Sequence, residues 1–208
     1  WKGKSLTRFG ELVAREVSLA GYRAMTVDGT PADCTNIGIY HSDNGKPDIV
    51  VSGINIGHNS GVSYVFSSGT VGAALEGNIA GIPALALSQE LPNALFNEWV
   101  GSRKFSRESL EYFREQLERA FPEVWQRFLQ QSHAGNAVTW SVNFPGRLRD
   151  DWRLVPTACG HSFYGNCFTA VEGGYKHAGP HPIEDQRQDS DIQALREGHV
   201  SVTQFDLS

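Results

Sequence analysis

The sequence is short of several things, and each shortage excludes a class. There is one methionine, Met25, and there are three cysteines, Cys34, Cys159 and Cys167. An odd count without framework spacing argues against a disulfide-stapled secreted domain, and the expected location is the cytoplasm. No run of eighteen apolar residues occurs, so no transmembrane helix and no membrane partner are expected. No secretory signal is visible. Basic residues are outnumbered, giving a net charge of −5, so the chain lacks the electrostatic footprint of a nucleic-acid binder. Internal repeats and low-complexity tracts are absent. So are a Walker loop, a Gly-x-Gly-x-x-Gly turn and a Gly-x-Ser-x-Gly elbow.

What remains is an ordinary globular composition, 40% hydrophobic and 20% charged over 208 residues, enough for one domain with a sizeable core. The chain opens at Trp1 rather than at a methionine, so the amino terminus is expected to be incomplete. Glu11–Val17 and Gly21–Val27 read as two short strands, with a helix over Leu12–Leu19 as the alternative. Thr30-Pro31-Ala32-Asp33 has the form of a helix start: Thr30 as N-cap, Pro31 first in the helix, Asp33 in the positive first turn. That helix should run to about Tyr40.

Pro47–Ser52 is a continuous apolar run of the kind buried on both faces of a parallel sheet. A Gly- and Asn-rich loop, Gly53–Gly61, follows it. Ser67-Ser68-Gly69-Thr70 opens a helix with a face of small residues (Gly72, Ala73, Ala74, Gly77), and Ile82–Leu87 is the next strand. Strand, loop, helix, strand in that order is a βαβ unit. From Ser106 a long amphipathic helix carries Leu110, Phe113, Leu117, Phe121, Val124 and Phe128, and Pro122 should kink or divide it. Ala137–Phe144 and His199–Thr203 are further strands. The Gly-, Pro- and His-rich stretch from Cys159 to Asp189 reads as an extended arm or loop.

The two loops of the βαβ unit lie at one edge of the sheet, where open α/β sheets bind ligands. A helix amino terminus presents unpaired N–H groups and partial positive charge, which suits phosphate. Ser68 and Thr70 add hydroxyls, and Gly69 admits an anion close to the backbone. Asn55 and Asn59 offer neutral carbonyl oxygens to a hard cation, or amide donors to an anion. The bland alternative is that the glycines and asparagines only make turns and that Ser68 only caps a helix. His58 is a further candidate donor. A zinc set from Cys159, His161, Cys167, His177 and His181 is also conceivable, although its spacing is loose.

Longer motifs sharpen this reading. Pro47-Asp-Ile-Val-Val-Ser-Gly-Ile-Asn-Ile-Gly-His-Asn59, then Ser68-Gly-Thr-Val-Gly-Ala-Ala-Leu-Glu-Gly77, then Gly81-Ile-Pro-Ala-Leu-Ala-Leu-Ser88 resemble the central signature of the SurE nucleotidases. Gly29–Cys34, Val142–Pro145, Ser190-Asp191 and Glu197–Thr203 resemble further family segments in order. The resemblance covers most of the chain and is weakest from Gly101 to Gln131. It implies a single α/β domain over residues 1–208: three layers, Rossmann-like, a mostly parallel sheet with helices on both faces. Residues 101–131 would be a helical insertion and 159–189 an extended β arm.

It further implies a metal-dependent phosphomonoesterase, acid-phosphatase-like, that hydrolyses nucleoside 5′- and 3′-monophosphates. Asn55 would be a ligand to a divalent cation, Mg2+ or Mn2+, and Asn59, Ser68, Gly69 and Thr70 would bind the phosphate. A homodimer or homotetramer is implied as well. The family's Asn-Asp-Asp-Gly motif and a metal-binding serine are not among these residues, so catalytic residues remain unassigned. Asp150-Asp151 is no substitute, since it precedes Trp152 and follows no buried strand. Two expectations follow: either the family's first strand and helix precede Trp1, or the chain is a catalytically inactive nucleotide- or phosphate-binding module.

Overall fold

The computed structural model describes residues 2–43, 45–132, 137–179 and 182–207. The chain begins with strands β1 (Ala14–Leu19) and β2 (Tyr22–Val27), then helix α1 (Pro31–Tyr40) and strand β3 (Val50–Ile56). Helices α2 (Val62–Ser67) and α3 (Gly69–Ile79) lead to β4 (Ala84–Gln89), α4 (Asn93–Ser102) and α5 (Arg107–Gln131). The remainder is β5 (Val138–Phe144), β6 (Leu154–Thr157), the pair β7 (Phe168–Val171) and β8 (Gly174–His177), α6 (Asp191–Arg196) and β9 (Val200–Asp206).

Five strands form the central sheet in the order β3-β4-β5-β9-β6. β3, β4 and β5 run parallel, β9 is antiparallel to β5, and β6 is parallel to β9. Alternation along the strands gives the sheet two unlike faces. Thr139, Ser141 and Asn143 of β5 align with Ala84, Ala86 and Ser88 of β4 on one face. Trp140, Val142 and Phe144 share the other with Leu85 and Leu87. On the small-residue face lies α3, whose own glycines and alanines let it approach closely. A Cβ on Gly77 would come within 2.8 Å of Val50. On the large-residue face lies α5, with Ala120, Val124 and Phe128 fully buried against Trp140, Val142, Phe144 and Val200. Phe128 meets Trp140 edge-on at 5.5 Å. The result is a three-layer, mostly parallel α/β fold with helices on both faces, as the sequence implies.

The αβ start of the chain follows its local chemistry. Ala20 and Gly21 both take positive φ, 50° and 84°, and close β1 and β2 into a hairpin. The helix alternative over Leu12–Leu19 is thereby excluded. Thr30 caps α1 and forms a reciprocal capping box with Asp33. Asp33 Oδ2 accepts from Thr30 N at 2.8 Å and from Thr7 Oγ1 at 2.6 Å, and its Oδ1 accepts from Thr7 N at 2.8 Å. Burial pushes this carboxyl up, but the bonds from Thr7 and Thr30 outweigh it and bring the pKa from 3.8 to about 2. A depressed folded-state pKa means stability that is present above 3.8 and lost as pH falls toward 2. Asp33→Ala is expected to cost about 1–2 kcal/mol near neutrality. The difference from the parent should shrink across that acid window, which urea unfolding at several pH values will check.

Several elements differ from the sequence reading. The segment expected as a helical insertion from residue 101 holds two helices, and the first, α4, begins earlier, at Asn93. α5 starts at its Ser106 cap as expected but runs through Pro122 undivided. Pro122 forfeits one backbone bond. Its neighbours Ala120 and Val124 are wholly buried, and that packing holds the helix together. β6 was not anticipated because it contains Pro156. An edge strand tolerates proline, and β6 is at the sheet edge. Within 159–189 the arm is organised as the exposed β7–β8 hairpin. Among the described residues β3 forms the opposite edge, with Val51, Ile54 and Ile56 between 41% and 49% exposed.

Candidate functional site

The loop leaving β3 is fastened from beneath by buried side chains. Asn55 pairs with Ser88 across the sheet, and its Nδ2 donates to the carbonyls of Gly57 at 2.8 Å and Ile56 at 3.3 Å. That leaves Oδ1 accepting nothing among the described residues. Gly57, at φ +100, turns the chain and donates its N–H to Gln89 O at 2.8 Å. Asn59 is 6% exposed. Its N–H donates to Asn143 Oδ1 and its Nδ2 to Ser88 Oγ, each at 2.7 Å. Gly61 N–H donates to Asp191 Oδ2 at 2.7 Å, and Oδ1 of the same carboxylate accepts from Gly160 N and Ile192 N at 3.0 and 2.9 Å. One buried carboxylate therefore ties the loop, the base of the arm and α6 together.

After the single short helix α2 the chain turns again at Ser68, the N-cap of α3. Ser68 Oγ accepts from Val71 N at 3.1 Å, so the hydroxyl hydrogen is left to donate elsewhere. The N–H groups of Gly69 and Thr70, in the first turn, have no acceptor among the described residues. Gly69 has no room for a side chain: a Cβ would lie 2.8 Å from Pro31 Cγ. Loop and helix start face each other across a cavity of about 540 Å³. Asn55, Gly57, His58, Asn59, Ser68 and Gly69 all line it, together with Tyr64, Ser67, Glu90, Leu91, Asn93 and Phe96. Of the residues expected from the sequence to bind metal or phosphate, only Thr70 is not on the lining.

The electrostatics of this cavity are mixed. Burial lowers the pKa of His58, against the pull of Glu90 and Asp191, so the ring is neutral at pH 7. Its Nδ1 is 2.7 Å from Ser60 Oγ. Glu90 is the carboxylate on the lining; its Oε2 accepts from Gly146 N at 2.7 Å. Burial pushes Asp191 up, opposed by its three N–H donors and by His58. Glu90, Tyr64 and Phe96 were not singled out from the sequence. The polar run Ser88-Gln89-Glu90 ending an apolar strand was the available signal for the first. The aromatic residues carry no local signature.

Other candidates fare less well. A larger cavity of about 780 Å³ lies between α4 and α5. Several of its polar groups are already engaged: Tyr112 with Gly146 O, Glu98 with Ser106 and Ser109, Arg119 with Arg149 O. Chemistry therefore favours the smaller cavity. Burial, with Asp191 adding to it, pushes the Cys159 thiol up to about 12, which makes it a poor metal ligand or nucleophile. Among the described residues no three His, Cys, Asp or Glu side chains converge on a point that could hold a metal, and His181 lies outside those residues. The same holds at Asn55. A cation such as Mg2+ takes about six oxygens in octahedral array, one or two of them carboxylate and several from water. The described residues offer Asn55 Oδ1 and, across the cavity, Glu90, which do not by themselves make such a site.

Residues 1–166 match the family model described as Survival protein SurE. The chain belongs to the SurE family. A 5′-nucleotidase SurE of Methanoculleus marisnigri is 33% identical over 212 residues, covering 99% of this chain and 76% of the relative. One from Paramagnetospirillum magneticum is 35% identical over 215 residues, covering 99% and 75%. The crystal structure of the SurE protein from Aquifex aeolicus superposes with a TM-score of 0.65 at 26% identity, covering 99% of this chain and 78% of that one. The SurE family thus shares the three-layer arrangement found here. Among the described residues no helix is long and apolar enough to cross a membrane.

Proposed function

We propose that this SurE-family chain is a nucleotidase, a hydrolase that releases phosphate from nucleoside 5′-monophosphates and also from 3′-monophosphates. The observation that carries the reading is the start of α3: Gly69, whose N–H has no acceptor among the described residues, and Ser68, whose hydroxyl hydrogen is left to donate, line one cavity. Such donors hold a phosphoryl group and stabilise the charge that builds on its oxygens during displacement. The activity named in the relatives supports the same chemistry. With Nδ1 accepting from Ser60 N, the neutral His58 ring would carry its hydrogen on Nε2 and donate from there, and the Glu90 carboxylate on the same lining can take a proton from water. Family membership is the ground for proposing dependence on Mg2+ or Mn2+, toward which Asn55 Oδ1 is the group this chain would offer. The described residues do not complete the coordination of such a metal. The exposed apolar residues of the two hairpins, among them Leu19, Tyr22, Phe168 and Tyr175, support assembly as a homodimer or homotetramer.

The test is phosphate release from nucleoside 5′- and 3′-monophosphates, with and without divalent cation. Ser68→Ala should lower kcat/KM about 10- to 100-fold, the usual worth of one hydrogen bond to a charged group. Ser68→Thr should retain most of the activity. A protein that binds manganese yet leaves every nucleoside monophosphate intact would sink the proposal. Nucleotide binding without turnover would instead favour an inactive binding module.

A further inference from the structure

The cavity at α3 does not end at Gly57. A second cavity of about 730 Å³ opens on its far side, and Ile56, Gly57 and Phe96 line both. One wall is α4, with Phe96, Trp99 and Val100 at steps of three and four and therefore on one helix face, and Arg103 and His177 complete the lining. That face is not used by the core: α4 buries no residue, and Phe96 and Val100 are 53% and 48% exposed. Trp99 is held in place from behind. It stacks on Phe105 at 5.3 Å and 23°, and Phe105 in turn meets Phe113 edge-on at 5.0 Å. Between the cavities stands Gly57, where an added Cβ would project into open space with nothing within 4 Å.

We propose that the base of the bound nucleotide stacks on Phe96, against the α4 face backed by Trp99, while its phosphate sits on the first turn of α3. The proposal rests on the nucleotidase reading and adds the part of the substrate that α4 recognises. The two cavities adjoin through the residues they share, Ile56, Gly57 and Phe96. A ligand filling both cavities would be anionic at one end and flat at the other, where Arg103 and His177 add polar edges to the aromatic wall, with a small polar middle passing over Gly57. A nucleoside monophosphate has that shape. The aromatic wall is fixed by its own stack, so little order is lost when a base lands on it. Stacking a base on one aromatic side chain is worth on the order of tenfold in affinity.

Calorimetric titration of the full chain with AMP and with ribose 5-phosphate, which lacks the base, tests this. AMP is expected to bind about tenfold more tightly. Phe96→Ala should bring the ratio close to one, and Phe96→Trp should preserve it. Phe96 is exposed and makes no ring contact among the described residues, so its replacement leaves the fold intact; circular dichroism confirms that. Equal affinities in the parent, or a ratio untouched by Phe96→Ala, overturns the base subsite and leaves the phosphate site standing. A ratio that collapses as expected in a protein that never releases phosphate supports the subsite and removes the nucleotidase reading. Failure to bind either ligand removes both.

Discussion

Asp191→Ala is expected to lower the free energy of unfolding by about 3–5 kcal/mol, because removing one side of a buried charged contact leaves its partners unsatisfied. The carboxylate is fully buried and is the sole acceptor for Gly61, Gly160 and Ile192. Without it, three backbone donors from three separate segments are stranded in the interior. Asp191→Asn keeps the shape and one oxygen but turns an amide group toward an N–H, so an intermediate loss is expected. Urea denaturation measures both. An unchanged midpoint for Asp191→Ala would mean that water reaches those donors, and that the loop carrying Asn59 is not fixed from α6. Because burial raises the pKa of Asp191 in the folded chain, its ionisation works against folding as pH rises through that value.

Gly61→Ala is expected to cost about 2–5 kcal/mol and to impair phosphate binding with it. At φ 82 and ψ 153 Gly61 occupies a region that residues with a Cβ essentially avoid. Space is lacking too, since the new Cβ would lie 2.4 Å from Ser162 Cβ and 3.1 Å from Ser162 Cα and N. Part of that obstacle is backbone, so no rotamer change relieves it. The loop would have to pull away from the arm base, taking Asn59 and His58 with it. Thermal unfolding combined with phosphate titration separates the outcomes. Full stability with full binding would show that the arm base yields easily.

What could be read in the sequence was local. Thr30 with Asp33 announced a capped helix, and Ser68 before small residues announced the start of α3, because caps act within four residues. The apolar run at Ile82–Leu87 announced a strand covered on both faces, as β4 is, whereas Pro47–Ser52, which reads the same way, leads into the half-exposed edge strand β3, because burial there depends on a neighbour that local sequence does not reveal. Legibility failed where the deciding partner is distant. Leu154-Val-Pro-Thr157 becomes a strand only because β9 lies beside it. α4 has a weak apolar stripe and no side-chain cap, so nothing local marked its start at Asn93. The site was half legible for the same reason. Asn55, Asn59, Ser68 and Gly69 share a motif, whereas Glu90, Tyr64 and Phe96 join them only through folding.

The position of β9 bears on the order in which this molecule can be made. β9 lies between β5 and β6 and pairs with both, yet it is made after both. A ribosome that has released the chain as far as α5 has delivered β3, α3 and β4, and with them every residue of the phosphate loop. That loop nevertheless waits for Asp191, 130 positions beyond Gly61, and β6 waits for a neighbour that does not yet exist. Domains tend to fold as units as they emerge, and exposed strand edges invite aggregation meanwhile. The vulnerable interval spans the synthesis of everything between the loop and β9. The phosphate loop is therefore translated well before the residue that fixes its shape.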